Sequence, residues 1–272
     1  MIDDSMILKV SGNDARTFLQ GQLTCDMGVL AEGRWTFAAY CSPQGRVLAF
    51  LWVFPWNDGI LLRLPRSVSN IFLVQIRKYV LRSDVVFTET TLCFSVCESG
   101  KSTEKQSMIQ ENEKVWIDGI AGIRPFLSEN KGTEVLPVEA FYAARIRAGI
   151  PEIYADTSGL FLPQMLNMEA IHGVSFSKGC YVGQEVVARN EYKTRLHRHL
   201  AIAETTEFST GQRALYAKDK FAGIILDYGK DPTGGAVIQA VIEDRYLDKP
   251  LHVRDSEQML SFHLQQKSQR KL

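Results

Sequence analysis

Two β-rich runs joined by four turn-forming residues constrain the fold of this chain more than any other feature. Residues 35–41 and 46–54 are rich in aromatic and β-branched side chains, and a Ser-Pro-Gln-Gly segment at 42–45 lies between them. Apolar runs separated by a short segment that contains Gly and Pro are typical of a β-hairpin. The sequence therefore predicts an antiparallel sheet close to the amino terminus.

The other patterns alternate between strand and helix, which indicates an α+β fold. Strand-like alternation predicts further strands at 6–10, 60–64, 85–90 and 92–97. Helical spacing predicts helices at 15–20, 67–79 and 138–148, with Ser67 as the cap of the second.

Beyond residue 195 the pattern changes to short strands with Gly- and Pro-bearing turns between them. The strands predicted there are 200–203, 221–227, 236–242 and 251–254. This spacing indicates a small β-barrel or sandwich. We therefore divide the chain into an α+β region, 1–195, and a small carboxy-terminal β-barrel, 196–272. The polar residues 100–114 are predicted to form a mobile loop, and 265–272 a frayed tail.

Composition argues against several classes of protein. Of the 272 residues 45% are hydrophobic, which suffices for a core, and 31 Lys and Arg balance 31 Asp and Glu, which leaves no overall basic field for nucleic acid. No apolar run reaches the roughly 18 residues of a membrane span, and we see no secretory signal. Five irregularly spaced cysteines fit a reducing compartment. We expect a soluble, cytoplasmic monomer without a membrane contact, or a mitochondrial matrix protein if the source is eukaryotic.

The octet KGCYVGQE at residues 178–185 concentrates the reactive groups. It contains an ammonium, a thiol, a phenol and a carboxylate together with two glycines. Glycine permits turns that are closed to other residues, so Cys180 is expected near solvent. Lys178, or the amino end of a helix starting near residue 182 or 183, would favour its thiolate. From these residues alone, a small cysteine filling a tight turn is an equally good interpretation.

Other polar and aromatic groups have simpler explanations. The histidines lack the spacing of a three- or four-ligand zinc site, so no metal site is predicted. A basic run within 189–199 could bind phosphates, although a solvated face is the default interpretation. Trp52, Phe54 and Trp56 alternate along a predicted strand and could stack on a flat ring, but such a stripe is more often sheet core.

Ordered motifs across about the first three quarters of the chain resemble those of the YgfZ-type folate-binding proteins. The octet is the specific motif. The supporting runs are SGNDARTFLQGQLTCD at 11–26, AGIP at 148–151, LPQ at 162–164 and GVSF at 173–176. These proteins are relatives of the glycine cleavage T-protein, the tetrahydrofolate-dependent aminomethyltransferase.

This resemblance implies a T-protein-like fold. An amino-terminal α+β part, with a ferredoxin-like portion, and a carboxy-terminal β-barrel would surround a central folate channel, and tetrahydrofolate would be the cofactor. Members of the family support the assembly or repair of iron–sulfur enzymes, and some affect tRNA thiomethylation through such an enzyme. Iron–sulfur client proteins are therefore the expected partners, and no direct contact with nucleic acid is expected.

Two departures from the aminomethyltransferase bear on the chemistry. The acidic residues of that enzyme align with Ala49 and Phe50, and its pterin-reading glutamate aligns with Arg147. A general base must be ionisable, and neither Ala49 nor Phe50 is. Aminomethyl transfer of the T-protein kind is therefore not expected, whereas a folate site with altered pterin contacts is.

The resemblance assigns the chemistry to Cys180, as a thiolate in redox chemistry or transient ligation, with Lys178 tuning it. Tyr181, Gln184 and Glu185 would order the loop at the folate site. The expected contacts in the channel are Arg147, Gln164, Asn167 and Glu169. Two alternatives stay open: a folate-dependent aminomethyltransferase or demethylase, and an adaptor that uses the same fold as a docking surface.

Overall fold

The structure, a computed structural model, describes residues 4–98, 107–111, 114–118, 120, 123–129, 136–193, 196–230 and 234–264. Within these ranges the strands form sheets of five, four and six strands. The strand pairings described are antiparallel.

The first sheet contains the predicted hairpin. Its strands are β1 (Ser5–Ser11), β2 (Thr36–Cys41), β3 (Val47–Trp56), β4 (Gly59–Pro65) and β5 (Val86–Glu89), in the order β2-β3-β4-β1-β5. Between β2 and β3 the N–H of Gly45 donates to the carbonyl oxygen of Ser42 across 2.8 Å. Gly45 has φ +72°, a conformation that glycine adopts without strain. The hairpin prediction is confirmed, since β2 and β3 pair on either side of this turn.

Aromatic side chains of β3 form part of the main core. Trp52 and Phe54 are fully buried, and Trp35 stacks on Trp52 with ring centroids 5.6 Å apart. Their burial leaves no face open to a flat ligand. The third residue of the stripe, Trp56, is half-buried and packs against the same core, so the simpler interpretation holds fully for Trp52 and Phe54 and in part for Trp56.

The helices are α1 (Ala15–Gln20), α2 (Arg66–Ile76), α3 (Val138–Arg147) and α4 (Gln184–Lys193). The predictions at 15–20 and 138–148 match α1 and α3 to within one residue. The prediction that Ser67 caps the second helix is wrong, because Pro65 holds the cap position with φ −58° and the helix begins at Arg66. None of the helices described is long and apolar enough to cross a membrane.

The second sheet contradicts part of the loop prediction for 100–114. Its strands are β6 (Cys93–Glu98), β7 (Ser107–Glu111), β8 (Lys114–Asp118) and β9 (Ile123–Ser128), in the order β6-β9-β8-β7. Residues 107–111 and Lys114 are in strands, while 100–106 and 112–113 lie outside the described residues. Polar residues suit β7 because it is an edge strand, so only one of its sides pairs with a neighbour.

The third sheet confirms the predicted change of pattern after residue 195. Its strands are β10 (Arg198–Thr205), β11 (Ala214–Ala217), β12 (Lys220–Lys230), β13 (Ala236–Glu243), β14 (His252–Val253) and β15 (His263–Leu264), in the order β14-β11-β12-β13-β10-β15. An isolated bridge joins Leu251 to Leu260, close in the chain to the two edge strands. Closure of this sheet into a barrel stays a prediction. The predicted tail at 265–272 lies outside the described residues.

Helix α3 precedes this sheet in the chain but packs closely against it. A Cβ placed on Gly229 of β12 would lie 2.2 Å from the backbone nitrogen of Ala143, so only glycine allows this approach. The sheet has an apolar core of its own, while Leu200, Leu226 and Val241 belong to the main core. The division between residues 195 and 196 stays a prediction.

Buried charges connect the first sheet to the third. Arg63 of β4 pairs with Glu152, and both side chains are about 1% exposed. Arg145 of α3 pairs with Asp227 of β12, and the Tyr154 hydroxyl donates to the same carboxylate across 2.6 Å. Burial alone would lower the pKa of Arg145, but Asp227 raises it above its ordinary value. Because a buried charge is costly to leave without its partner, these pairs hold the two sheets in one arrangement.

Candidate functional site

The octet leads directly into helix α4. Cys180 is exposed, as the sequence predicted, and α4 begins at Gln184, one residue after the range expected. The backbone N–H of Gln184 donates to the carbonyl oxygen of Tyr181 across 3.1 Å, which closes the turn before the helix. The thiol therefore lies on an exposed bend, four residues before the first residue of α4.

Gly183 is the glycine that this bend requires. It has φ +83°, and a Cβ on it would lie 2.4 Å from the carbonyl oxygen of Ser42 and 3.0 Å from the Cα of Gly45. Gly179 has open space around its Cβ position. The octet therefore packs backbone to backbone against the β2–β3 turn through Gly183, whereas Gly179 makes no comparable approach.

Lys178 holds the octet from the interior. Its ammonium nitrogen donates to the carbonyl oxygens of Gln20, Leu23 and Cys25, at 2.5, 2.7 and 2.8 Å. An ammonium has three donors, so these bonds use all of them. Gln20 is the last residue of α1, and a cation suits the carbonyls at a helix carboxyl end. One side chain thus joins the octet to the loop that follows α1.

This geometry changes the role that the sequence assigned to Lys178. The sequence predicted an ammonium that tunes Cys180, but the three donors point to backbone carbonyls of the amino-terminal loop instead. Burial lowers the pKa of Lys178, while Cys25 and Asp26 act in the opposite direction. We therefore describe Lys178 as a positioning residue.

The loop after α1 has a dense set of hydrogen bonds that the sequence did not single out. The Thr24 hydroxyl donates to the carbonyl oxygen of Gly173 across 2.5 Å and accepts from the N–H of Ala39 across 2.7 Å. The N–H of Ser175 donates to the carbonyl oxygen of Thr24 across 2.9 Å. These bonds join two supporting motifs, at 11–26 and 173–176, to the strand β2. The motifs themselves were the only signal that marked these residues.

The Gln20 side chain orders the rest of this loop. Its amide oxygen accepts from the N–H of Met27 across 2.7 Å, and its amide nitrogen donates to the carboxylate of Asp26 across 3.2 Å. Asp26 in turn accepts from the N–H of Gly28 across 2.9 Å and caps the short 3-10 helix Met27–Glu32. These bonds help to fix the loop whose carbonyls accept from Lys178.

Three buried polar groups in and near the octet have no hydrogen-bond partner among the described residues. They are the Tyr181 hydroxyl, the Gln22 amide oxygen and the Gln164 amide oxygen. Each of these residues is at least nine-tenths buried. Buried polar groups are nearly always paired, so each of these atoms calls for a bound molecule or an ordered water.

Tyr181 and Gln164 are also held in defined positions. The ring of Tyr181 lies 5.2 Å from the Lys178 ammonium, a cation–π contact, and burial raises the pKa of its hydroxyl. The amide nitrogen of Gln164 donates to the carbonyl oxygen of Val187 in α4 across 2.6 Å. Gln164 thus contacts the helix that follows the octet, while its buried amide oxygen has no partner among the described residues.

The other residues predicted to bind folate are more exposed. Asn167 ends the short 3-10 helix Pro163–Leu166 with φ +51°, and Glu169 is exposed. Gln184 is half-buried as the first residue of α4, and Glu185 is exposed in its first turn. Arg147, in the last turn of α3, pairs with Glu204 of β10 across 2.9 Å. Arg147 therefore joins the end of α3 to β10, and its contact with folate stays a prediction.

The cysteines divide into buried and accessible thiols. Cys25 and Cys41 are fully buried, and burial raises the pKa of each thiol from 9.0 to about 12. Cys93 and Cys97 are half-buried on β6, and Cys180 is exposed. Because the thiolate is the reactive form, burial makes Cys25 and Cys41 inert at neutral pH.

The positions that align with the acidic residues of the aminomethyltransferase lie inside the core. Ala49 and Phe50 of β3 are both fully buried. Neither can exchange a proton, so β3 supplies no general base at these positions.

Comparison with known proteins gives two kinds of similarity. A tRNA-modifying protein YgfZ of Vibrio atlanticus is 30% identical over 224 residues, which cover 75% of this chain and 69% of that protein. The protein of the same name from Edwardsiella ictaluri is 29% identical over 288 residues, which cover 93% of this chain and 87% of that protein. No protein-family model matches the chain.

The fold has a counterpart among solved structures. The glycine cleavage system aminomethyltransferase T of Bartonella henselae superposes with a TM-score of 0.64 at 12% identity, covering 97% of this chain and 84% of that one. Identity this low shows the fold alone. The predicted α+β, T-protein-like fold is thereby confirmed.

Proposed function

Because this chain belongs to the YgfZ family, we propose that it binds a tetrahydrofolate and assists the assembly or repair of iron–sulfur enzymes through the thiol of Cys180. The name of the relatives refers to tRNA modification. For this chain we propose that any effect on tRNA modification is indirect: the protein would maintain an iron–sulfur enzyme, and that enzyme would modify the tRNA. The observation that carries the proposal is the exposed thiol of Cys180, on a loop that Lys178 and Gly183 attach to the protein on either side of it.

The thiol is supported by the way in which the octet is fixed. Lys178 ties its first residue to three carbonyls, and Gly183 packs its far end against the β2–β3 turn. Cys180 lies between these two fixed points and is exposed. A thiol presented in this way meets a partner protein at little further cost in conformational entropy.

The folate proposal rests on the buried polar atoms without partners. The amide oxygens of Gln22 and Gln164 accept hydrogen bonds, and the Tyr181 hydroxyl donates or accepts one. A pterin ring carries both N–H donors and acceptors, so its chemistry fits this set. When bound, the folate would supply one-carbon or redox chemistry, and these three residues would bind and orient it.

The competing function is one-carbon transfer of the aminomethyltransferase type. That chemistry needs an ionisable group near the reacting carbon. Ala49 and Phe50 offer none and are sealed in the core. The structure therefore favours a role in which Cys180, and not β3, meets the substrate. Product formation from N-methylated substrates would reverse this preference.

The thiol proposal is tested by labelling and by complementation. Iodoacetamide treatment of the folded protein, mapped by mass spectrometry, should label Cys180 well before the buried Cys25 and Cys41. In a strain that lacks the gene, Cys180→Ala should fail to restore an iron–sulfur enzyme that thiomethylates tRNA, while the control Cys93→Ala should restore it. Full rescue by Cys180→Ala would remove the thiol from the proposal.

The folate proposal is tested separately by titration calorimetry with tetrahydrofolate. Gln164→Leu should weaken binding about tenfold, because the amide oxygen then no longer accepts a hydrogen bond. Gln212→Leu, the same change at an exposed position, is the matched control and should leave binding unchanged. Absence of binding at about millimolar ligand would overturn the folate proposal and leave the thiol proposal standing.

A further inference from the structure

A segment far from the chemistry of the octet presents an unusual combination of side chains. Helix α2 ends at Ile76, a 3-10 turn follows over Arg77–Tyr79, and the chain then reverses into β5. The exposed residues around this reversal are Val74, Arg77, Lys78, Tyr79, Leu81, Arg82, Asp84 and Val86. We call this set the 74–86 surface.

Leu81 is the most exposed large apolar side chain among the described residues. Its relative exposure is 87%, against 51% for Val74 and 54% for Val86. A single exposed leucine is ordinary in a folded protein. Here three exposed aliphatic side chains occur within thirteen residues of sequence, and that of Leu81 is almost fully exposed to solvent.

The backbone of Leu81 adds an independent observation. It has φ +40°, in the left-handed region that leucine rarely occupies. The N–H of Ser83 donates to the carbonyl oxygen of Val80 across 2.8 Å, so Leu81 is the second residue of a tight turn. Glycine is the usual choice for positive φ at this position. The chain thus keeps a strained leucine where the fold gains no burial from it, a pattern found at binding sites.

The exposed charges of the 74–86 surface are three cations and one carboxylate, that of Asp84, which leaves a net positive charge. Arg77, Lys78 and Arg82 are exposed, and none forms an ion pair with a described residue. The Lys78 ammonium donates to the amide oxygen of Gln75 across 2.8 Å. The nearest acid in the chain, Asp84, accepts from the backbone N–H of Asn13 across 3.0 Å. Three cations are therefore available to a partner of opposite charge.

We infer that the 74–86 surface is a docking site for an acidic protein segment that inserts an aliphatic contact against Leu81. Charge complementarity selects an acidic partner, and the strained, exposed leucine selects an apolar contact beside it. This inference depends on neither folate binding nor the thiol of Cys180.

Other occupants fit these observations less well. A second copy packed symmetrically would bring the same three cations against one another. Single-stranded nucleic acid prefers aromatic stacking platforms, and Tyr79 is the one aromatic residue of the set. A protein segment with carboxylates and an aliphatic side chain satisfies both the charges and Leu81.

The test uses a labelled twelve-residue peptide of Asp, Glu and Leu, titrated against the whole protein by fluorescence anisotropy. A matched peptide with Ser in place of Leu controls for charge alone. Leu81→Gly should weaken binding of the first peptide about tenfold. It should not lower the melting temperature, because glycine relieves the positive φ. Met259→Ala, at another exposed apolar residue, should leave binding unchanged.

Reversal of the charges by Arg77→Glu, Lys78→Glu and Arg82→Glu together should abolish binding of both peptides. The inference is overturned if the Leu-containing peptide fails to bind the wild type at about millimolar concentration, or if Leu81→Gly binds it normally. It is also overturned if an RNA oligonucleotide or phosphatidylserine vesicles bind in a Leu81-dependent manner and the peptide does not. If sedimentation shows that the protein dimerises and that Leu81→Gly abolishes the dimer, the occupant of this surface is a second copy of the chain and the inference is overturned.

Discussion

The ammonium nitrogen of Lys178 lies 2.8 Å from the carbonyl oxygen of Cys25, a residue 153 positions earlier in the chain. Two further carbonyls, of Gln20 and Leu23, share the same ammonium. The amino-terminal motif and the octet are therefore two halves of one structure. The exposed thiol of Cys180 depends for its position on a loop at the other end of the α+β region.

Replacement of Lys178 by methionine should destabilise the fold. Lys178→Met keeps the side-chain length but leaves three carbonyl oxygens without their donor, so we expect a loss of about 3 kcal/mol in the free energy of unfolding. Urea denaturation measures this. Lys220→Met, at an exposed position of β12, should change stability by less than about 0.5 kcal/mol. Equal stability of Lys178→Met and wild type would contradict the positioning role.

The two glycines of the octet should respond differently to alanine. At Gly183 a Cβ would lie 2.4 Å from the carbonyl oxygen of Ser42 and the residue has φ +83°, so Gly183→Ala should cost about 2–3 kcal/mol. At Gly179 nothing lies within 4 Å of the Cβ position, so Gly179→Ala should cost less than about 0.5 kcal/mol. Thermal unfolding of both variants provides the comparison, and similar losses would count against the close approach.

Alkaline pH should destabilise the protein through its buried thiols. Cys25 and Cys41 have pKa values raised from 9.0 to about 12 in the folded state. Above pH 9 the unfolded chain releases these protons and the folded chain keeps them. The contribution of the two buried thiols to the free energy of unfolding is therefore fully present below pH 9. It is lost as pH rises from 9 towards 12, by about 1.4 kcal/mol per pH unit for each thiol.

Chemical denaturation at pH 8, 9 and 10 measures this slope. Cys41→Ala should remove the contribution of one thiol and make the decline shallower than in the wild type. Comparison of the two proteins cancels the effects of other groups, such as Lys178, whose lowered pKa acts in the opposite direction. Identical slopes would show that the Cys41 thiol ionises equally in both states.

Removal of the Tyr181 hydroxyl should separate binding from stability. The hydroxyl is buried without a partner among the described residues, so Tyr181→Phe should leave the free energy of unfolding unchanged or slightly higher. If the hydroxyl contacts folate, the same change should weaken tetrahydrofolate binding about fivefold to tenfold. Calorimetry and urea denaturation on one sample distinguish the two effects. A variant that loses stability and keeps its affinity would assign the hydroxyl to the fold.

Local patterns were enough to predict much of the fold. The β2–β3 hairpin follows from the turn residues at 42–45, and α1 follows from helical spacing over six residues. Strand β7 was missed because three of its five residues, Ser107, Gln110 and Glu111, are polar, and it pairs with β8 despite this composition. Intrinsic strand propensity is weak against such tertiary context.

The candidate site was predictable in part. The motif placed Cys180 on an exposed bend, but the role of Lys178 depends on carbonyl oxygens more than 150 residues away, which no local pattern records. Arg147 was chosen by alignment with a pterin contact, and its pairing with Glu204 could not be predicted from the sequence around it. Both contacts arise from packing between distant elements.

The buried pair of Arg145 and Asp227 has a consequence for how this chain can be divided. A cut after residue 195 would leave Arg145 and Tyr154 on one fragment and Asp227 on the other. It would also strip α3 from Gly229, against which it packs. A chimera that exchanges the carboxy-terminal sheet between relatives should therefore carry the segment from α3 to residue 156 along with it. We therefore expect residues 138–156 and the carboxy-terminal sheet to be exchanged successfully only together.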